Sequence, residues 1–231
     1  NNIKTEIAHV LINTDTDQTK VDELLIKLDG TPNKARLGAN AVLAVSLAVA
    51  KARAYSARWP LYEEIGLLTE NKKFALPRPM INIINGGKHA DGVTDIQEFM
   101  IVPTSSRPFS ECLRLGSEVF HCLGKVLSSK GYKTLLGDEG GYAPTLANGN
   151  SEALDLIIQA IEQAGYKPGR DVQLAIDVAA SEIYKGGKYN LKTENKSLDT
   201  AQMIAWYQEL AGKYPLMSIE DGLEQNDWAG W

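Results

Sequence analysis

The run Gly137-Asp138-Glu139-Gly140-Gly141, followed by Tyr142-Ala143-Pro144, sets two adjacent carboxylates in a frame of glycines. Glycine lets the backbone take positive φ and approach a ligand closely. Carboxylates held there can move a proton or bind a hard cation. A solvated acidic turn has the same composition, so the loop alone decides nothing. Its company is more telling. The apolar run Val172–Ile176 ends in Asp177, and Leu216–Ile219 ends in Glu220 and Asp221. Gln97 and Glu98 open the apolar run Phe99-Met100-Ile101-Val102, where a charge needs a partner to be tolerated. His89 lies in the polar loop Asn85–Ala90 between two such runs. The other histidines, His9 and His121, fall on helical stretches and are assigned to packing or solvent.

These residues must be positioned by regular elements, and the periodicity supplies them. Residues 1 to about 70 read as helical, with Val21, Leu24, Leu25 and Leu28 at helical spacing and a stop at Asp29-Gly30-Thr31-Pro32-Asn33. The apolar stretch from Ala39 predicts a helix to Tyr55, buried on most sides. Asn71-Lys72-Lys73 is a polar link. Beyond it the pattern predicts strands over 80–84 and 96–102, then a helix over 108–130 with Leu115, Val119, Cys122 and Val126 on one face. A helix carrying Leu154, Ile157, Ile158 and Ile161 follows. Then come a strand over 172–178, a hairpin around Gly186-Gly187, a helix opened by an Asp199/Gln202 capping box, and a strand over 216–220. Strands alternating with helices argue for a parallel sheet or barrel. In a parallel β/α barrel, the carboxyl ends of the strands build the catalytic face, so acids from distant strands would meet there. Each strand-end acid taken alone could equally cap the next helix.

Composition narrows the class. A net charge of −5 gives no general attraction to nucleic acid or anionic membrane, and basic residues do not cluster with aromatics. The apolar run from Ala39 to Ala50 is too short to span a bilayer. Cys112 and Cys122 would stand about 15 Å apart on one helix, too far for a disulfide, which fits a reducing compartment such as the cytosol. A P-loop, a dinucleotide glycine motif after a strand, Gly-x-Ser-x-Gly and a Cys/His zinc pattern are all absent from the sequence.

Taken in order, the motifs resemble those of the enolase family, of bacterial type. Leu28-Asp29-Gly30-Thr31-Pro32-Asn33-Lys34 with Leu37-Gly38-Ala39-Asn40-Ala41 is similar to one family signature. Asn82–Gly87 with His89-Ala90 and Gln97-Glu98-Phe99-Met100 is similar to a second. The glycine-framed acidic loop, Asp177 with Ala179-Ala180-Ser181-Glu182, and Ser218-Ile219-Glu220-Asp221 complete the set. Ala90-Asp91 and Gly222-Leu223 resemble the bacterial variants. The resemblance implies an α/β fold: the first half of an enolase-type β/α barrel over 74–231, starting β-β-α-α. Before it, over 1–73, would stand the helical part of an α+β N-terminal domain.

It also implies a Mg²⁺-dependent lyase of glycolysis that interconverts 2-phosphoglycerate and phosphoenolpyruvate through a metal-stabilised enediolate. Glu139 would be the acid acting on the substrate hydroxyl, and Glu98 would orient that hydroxyl. His89, in a mobile loop, and Gln97 would contact substrate. Asp177 and Glu220 would be two of three carboxylates on the tighter Mg²⁺, with Asp138, Asp221 and Glu182 supporting. A cytoplasmic homo-oligomer, dimer or octamer, is implied, with a cell-surface or secreted location as the alternative. The small-molecule substrate would be its partner; no nucleic acid and no membrane span are expected. On the same resemblance, the first strands and a serine-bearing lid loop would precede Asn1. A third metal carboxylate, the lysine base and a phosphate-binding segment would follow Trp231. The 231 residues by themselves are therefore expected to be inactive. The competing reading is a noncatalytic fragment or a surface or scaffold protein of the same fold.

Overall fold

The computed structural model describes residues 1–14, 17–90, 93–104 and 107–231. The chain forms two compact units, Asn1–Ala75 and Leu76–Trp231.

The first unit is helical: a π-helical turn Ile3–Ile7, then α1 (Ala8–Leu11), α2 (Gln18–Asp29), α3 (Ala39–Ala57) and α4 (Leu61–Leu68). Its small core gathers Ile7, Val21, Leu25 and Leu37. Asp29 explains the motif at the end of α2. Its buried carboxylate accepts the backbone N–H groups of Thr31 (3.0 Å) and Leu37 (2.7 Å), folding the connecting turn back on the helix. Gly30 makes that turn possible by taking φ 70°. Helix α3 departs from expectation. Only Ala50 and Ala54 are buried, and Leu43 and Leu47 are exposed. Its apolar residues run all round rather than along one stripe, so packing on α2 and α4 cannot cover them all.

The second unit holds β1 (Ile81–Asn85), a 3₁₀ turn Gly87–Ala90, β2 (Glu98–Pro103), α5 (Phe109–Ser129), α6 (Gly149–Gln163) and β3 (Val172–Asp177). Then follow α7 (Ala180–Ile183), the strands β4 (Tyr184–Lys185), β5 (Lys188–Leu191) and β6 (Lys196–Leu198), α8 (Thr200–Lys213) and β7 (Leu216–Glu220). The two-residue turn Gly186-Gly187 has φ of 63° and 80°, which suits the tight hairpin joining β4 and β5. The Asp199/Gln202 capping box on α8 forms in both directions, at 2.9 and 3.0 Å. Both cysteines are free thiols.

The main sheet has the order β1-β2-β3-β7. It is not uniformly parallel. β2 runs antiparallel to β1 and to β3, whereas β3 and β7 are parallel. Among the described residues the β1–β2 connection carries no crossover helix, and a chain that returns without one must pair antiparallel. The amino end of β2 therefore lies at the same edge as the carboxyl ends of β1, β3 and β7. Both faces of β2 are covered, which is why its sequence does not alternate. Phe99 and Ile101 pack with Leu115, Val119 and Leu123 of α5 and with Leu154 and Ile157 of α6. Met100 and Val102 meet Ala175 on the other face.

Asp171 secures the entry to β3. Its carboxylate accepts from the Lys167 N–H (2.9 Å) and the Arg170 guanidinium (2.8 Å), and Arg107 stands at 3.4 Å. The Arg170 hydrogen bond first, and the Lys167 N–H next, hold its carboxyl at about 2, below the ordinary 3.8. A depressed folded-state pKa adds stability above the unfolded pKa and loses it as pH falls through the folded value. Asp171→Asn is thus expected to lower the melting temperature by a few degrees at neutral pH. The difference should close between about pH 4 and about pH 2. Thermal melts across that range check it; a difference independent of pH would contradict it.

Candidate active site

Sheet register brings the strand-end groups together. Asn85 stands opposite Glu98, Glu98 opposite Asp177, and Asp177 opposite Glu220. Directly opposed residues on neighbouring strands point to the same face, roughly 5 Å apart at Cβ. One rung of the sheet edge thus carries Asn85, Glu98, Asp177 and Glu220 in a row. A β-bulge sets its first member. Asn82 pairs with Met100 and Ile84 with Phe99, which leaves Ile83 as the extra residue. Without that extra residue, Ile84 would stand opposite Glu98; with it, Asn85 does.

The glycine-framed loop docks onto the end of β1. The Asn85 N–H donates to the Tyr142 carbonyl (2.8 Å), and the Tyr142 N–H to the Ile83 carbonyl (3.0 Å). Inside the loop, the Gly137 N–H donates to the Gly141 carbonyl (2.8 Å), and the Asp138 N–H to the His89 carbonyl (3.3 Å). Two of the glycines are required by space. A Cβ on Gly137 would lie 2.7 Å from the Asn85 Cβ, and one on Gly141 would lie 2.4 Å from the Asn85 amide. The loop can sit this low only because those positions have no side chain.

The docked loop delivers Glu139 to the row. His89 Nδ1, on the 3₁₀ turn, is 3.6 Å from Glu98 Oε1 and 3.9 Å from Glu139 Oε1. Ligand atoms of His89, Glu98 and Glu139 all lie within 4.8 Å of one another, so this trio could hold a metal ion. Crowded acids resist ionisation together. Burial first, then Glu139, then Asp177 and Glu220, push the Glu98 carboxyl up to about 8 from its ordinary 4.5. Asp177 is also raised, mainly by burial and by Glu220 and Asp221, while the Ala179 N–H on its Oδ1 (3.0 Å) works the other way.

The remaining candidates lie around this cluster. Gln97 lies just before Glu98, in the bend that leads into β2. Its N–H donates to the Asp177 carbonyl (3.0 Å), and it lines a cavity of about 580 Å³ with Lys88, Ala179 and Glu182. Glu182 is paired with Lys88. Asp138 is exposed on the loop, and exposed Asp221 follows Glu220 with φ 45°. Asp91 lies outside the described residues. His121 is an exposed residue of α5 set edge-on to Phe120, and exposed His9 donates from Nδ1 to the Thr5 carbonyl (2.7 Å). Asn85 is the member of the row that sequence reasoning missed. Its place depends on the bulge, for which the sequence carries no local signal.

Two family models cover the chain. One, described as enolase, N-terminal domain, matches residues 1–65. The other, described as enolase, C-terminal TIM barrel domain, matches residues 73–231. The chain belongs to the enolase family. Its second unit is accordingly part of an enolase barrel, with the antiparallel β2 as a built-in exception to the parallel order. Membership supports a lyase of the enolase superfamily, acting on a small molecule. Enolases are typically metal-dependent, and the His89–Glu98–Glu139 trio is one possible seat for an ion. Among the described residues, no helix is long and apolar enough to cross a membrane.

Proposed function

We propose that the protein is a Mg²⁺-dependent phosphopyruvate hydratase of glycolysis, interconverting 2-phosphoglycerate and phosphoenolpyruvate. The observation that carries this reading is the rung Glu98–Asp177–Glu220 with Glu139 lowered onto it. The acids fit a divalent ion. They are hard oxygen donors held side by side on one rung of the sheet, and a cation relieves the repulsion of neighbouring carboxylates. Asp177 and Glu220 would hold the ion. An Mg²⁺ ion held there would offset the negative charge that develops on the substrate carboxylate when a base takes its α-proton.

The chain's own residues handle the hydroxyl end. Glu139, half exposed on its loop, protonates the departing hydroxide. Glu98, beside Glu139 at the start of β2, orients the same hydroxyl by hydrogen bonding. His89, within 4 Å of both acids, closes the site beside the substrate. Gln97 contacts substrate from the neighbouring loop. The setting is a cytoplasmic homo-oligomer.

The test is direct. The intact protein, given 2-phosphoglycerate and Mg²⁺, is expected to generate the ultraviolet absorbance of the phosphoenolpyruvate double bond, and EDTA to abolish it. A signal indifferent to EDTA would defeat the metal assignment. No signal would favour a noncatalytic, scaffold role for the fold.

A further inference from the structure

Asp95 and Asn150 are buried polar residues that the reaction above does not use. They meet just ahead of β2. Asn150, in the first turn of α6, accepts the backbone N–H groups of Asp95 (3.0 Å) and Ile96 (3.1 Å) on its Oδ1. Its Nδ2 donates to the Asp95 carboxyl (3.1 Å) and to Glu194 (3.0 Å). From the turn between β5 and β6, Thr193 donates to the same Asp95 carboxyl through its N–H (3.1 Å) and its hydroxyl. Gly149 lets that turn come close: it takes φ 66°, and a Cβ on it would lie 3.0 Å from the Thr193 hydroxyl oxygen. Burying a carboxyl and a carboxamide costs desolvation, and apolar residues of similar volume often serve stability as well. A buried network with its hydrogen bonds made fixes geometry instead.

The geometry it fixes belongs to the site. Residues 94–97 close the base of the loop that carries His89. The Gly87 N–H donates to the Thr94 carbonyl (3.0 Å), and the Gly86 N–H to the Gln97 carbonyl (2.8 Å). Gly86 has no room for a side chain there, since a Cβ would lie 2.3 Å from the Ile96 carbonyl oxygen. Gln97 and Glu98 follow at once, with the Gln97 N–H on the Asp177 carbonyl (3.0 Å). We infer that Asp95 and Asn150 are a pair of positioning residues, a clamp that sets where Gln97 and Glu98 stand against the substrate and anchors the base of the His89 turn. This rests on the hydratase reading above. The pair acts through the segment it grips, and both Asp95 carboxyl oxygens are taken up by Thr193 and Asn150.

The experiment uses Asp95→Asn, Asn150→Asp and the double variant in the intact protein, with Mg²⁺ titration, thermal melts and steady-state kinetics well below the melting temperature. Asp95→Asn turns a second amide toward Asn150. Asn150→Asp removes the donor and sets a third carboxyl beside Asp95 and Glu194. Each single variant is expected to lose about 10²-fold in kcat/KM for 2-phosphoglycerate, the scale of a roughly 1 Å misplacement. Mg²⁺ affinity should stay within about threefold of wild type, because Asp177 and Glu220 stand on other strands. The double variant exchanges donor and acceptor, and Glu194 keeps Lys196 (2.8 Å), so about tenfold or more of the activity should return. A pair that only holds the fold predicts otherwise: a lower melting temperature, with the folded protein as active as wild type. That outcome overturns the inference, as do single variants within about threefold of wild type or a double variant no more active than the singles. If the single variants do not fold, Thr193→Val decides, since it removes one donor to Asp95 and keeps the shape. A loss of about tenfold supports the clamp, and activity within about threefold of wild type overturns it. Should wild type itself show no hydratase activity, the parent reading falls and this one with it; an active wild type with unaffected variants removes the clamp alone.

Discussion

Glu139→Gln is expected to lower turnover of 2-phosphoglycerate by roughly 10³-fold, the scale of losing a general acid, without lowering the melting temperature. Glutamine keeps the shape of the side chain and removes the transferable proton. Glu139 is the acid best placed for the task. Its side chain is 48% exposed and stands on a loop that opens to solvent, whereas Glu98 beside it is only 15% exposed. The loop's shape comes from backbone hydrogen bonds and from the contact of Gly137 and Gly141 with Asn85, so the substitution leaves it in place. Rate assays and Mg²⁺ affinity should be read together. Turnover lost with affinity unchanged assigns Glu139 to proton transfer. Affinity lost in parallel would move the ion to the His89–Glu98–Glu139 trio instead. Turnover within about threefold of wild type would remove Glu139 from the chemistry altogether.

Much of this geometry was legible in the chain, and the exceptions turn on neighbouring elements, present or missing. The alternation of strands and helices in the second unit, the Gly186-Gly187 hairpin and the Asp199/Gln202 cap all follow from local chemistry: turn residues, capping side chains and periodicity. Strand Leu216–Glu220 matched to the residue. The direction of β2 did not follow. Its apolar run reads alike in either orientation, and only the pairing with β1 and β3 decides it. That reversal matters for the site, because it puts Glu98, a strand-opening residue, on the same edge as the strand-closing Asp177 and Glu220. The bulge at Ile83 is equally a property of the pair, so Asn85 could not be placed from β1 alone. The exposed side of α3 has the opposite origin. Its composition announced burial, but burial needs neighbours, and within the first unit α2 and α4 reach only part of its surface. The glycines of the acidic loop are an instructive middle case. Their presence was obvious and suggested close approach of a ligand, yet two of them are explained by the Asn85 side chain beneath.

Removing Asp177 or Glu220 bears on the whole account, because both are the proposed cation donors and neither belongs to the trio around His89. Magnesium binds through few protein carboxylates, so the loss of one is expected to weaken it by roughly a hundredfold. Asparagine at 177 can still accept the Ala179 N–H that turns the chain after β3, so the local fold should persist. The measurement is calorimetric titration of Mg²⁺ into the intact protein and into Asp177→Asn, Glu220→Gln and His89→Ala. Saturable binding in wild type, about a hundredfold weaker in the first two variants and nearly unchanged in the third, is the predicted result. Equal affinity in wild type, Asp177→Asn and Glu220→Gln would contradict the proposal that this rung of acids holds the metal.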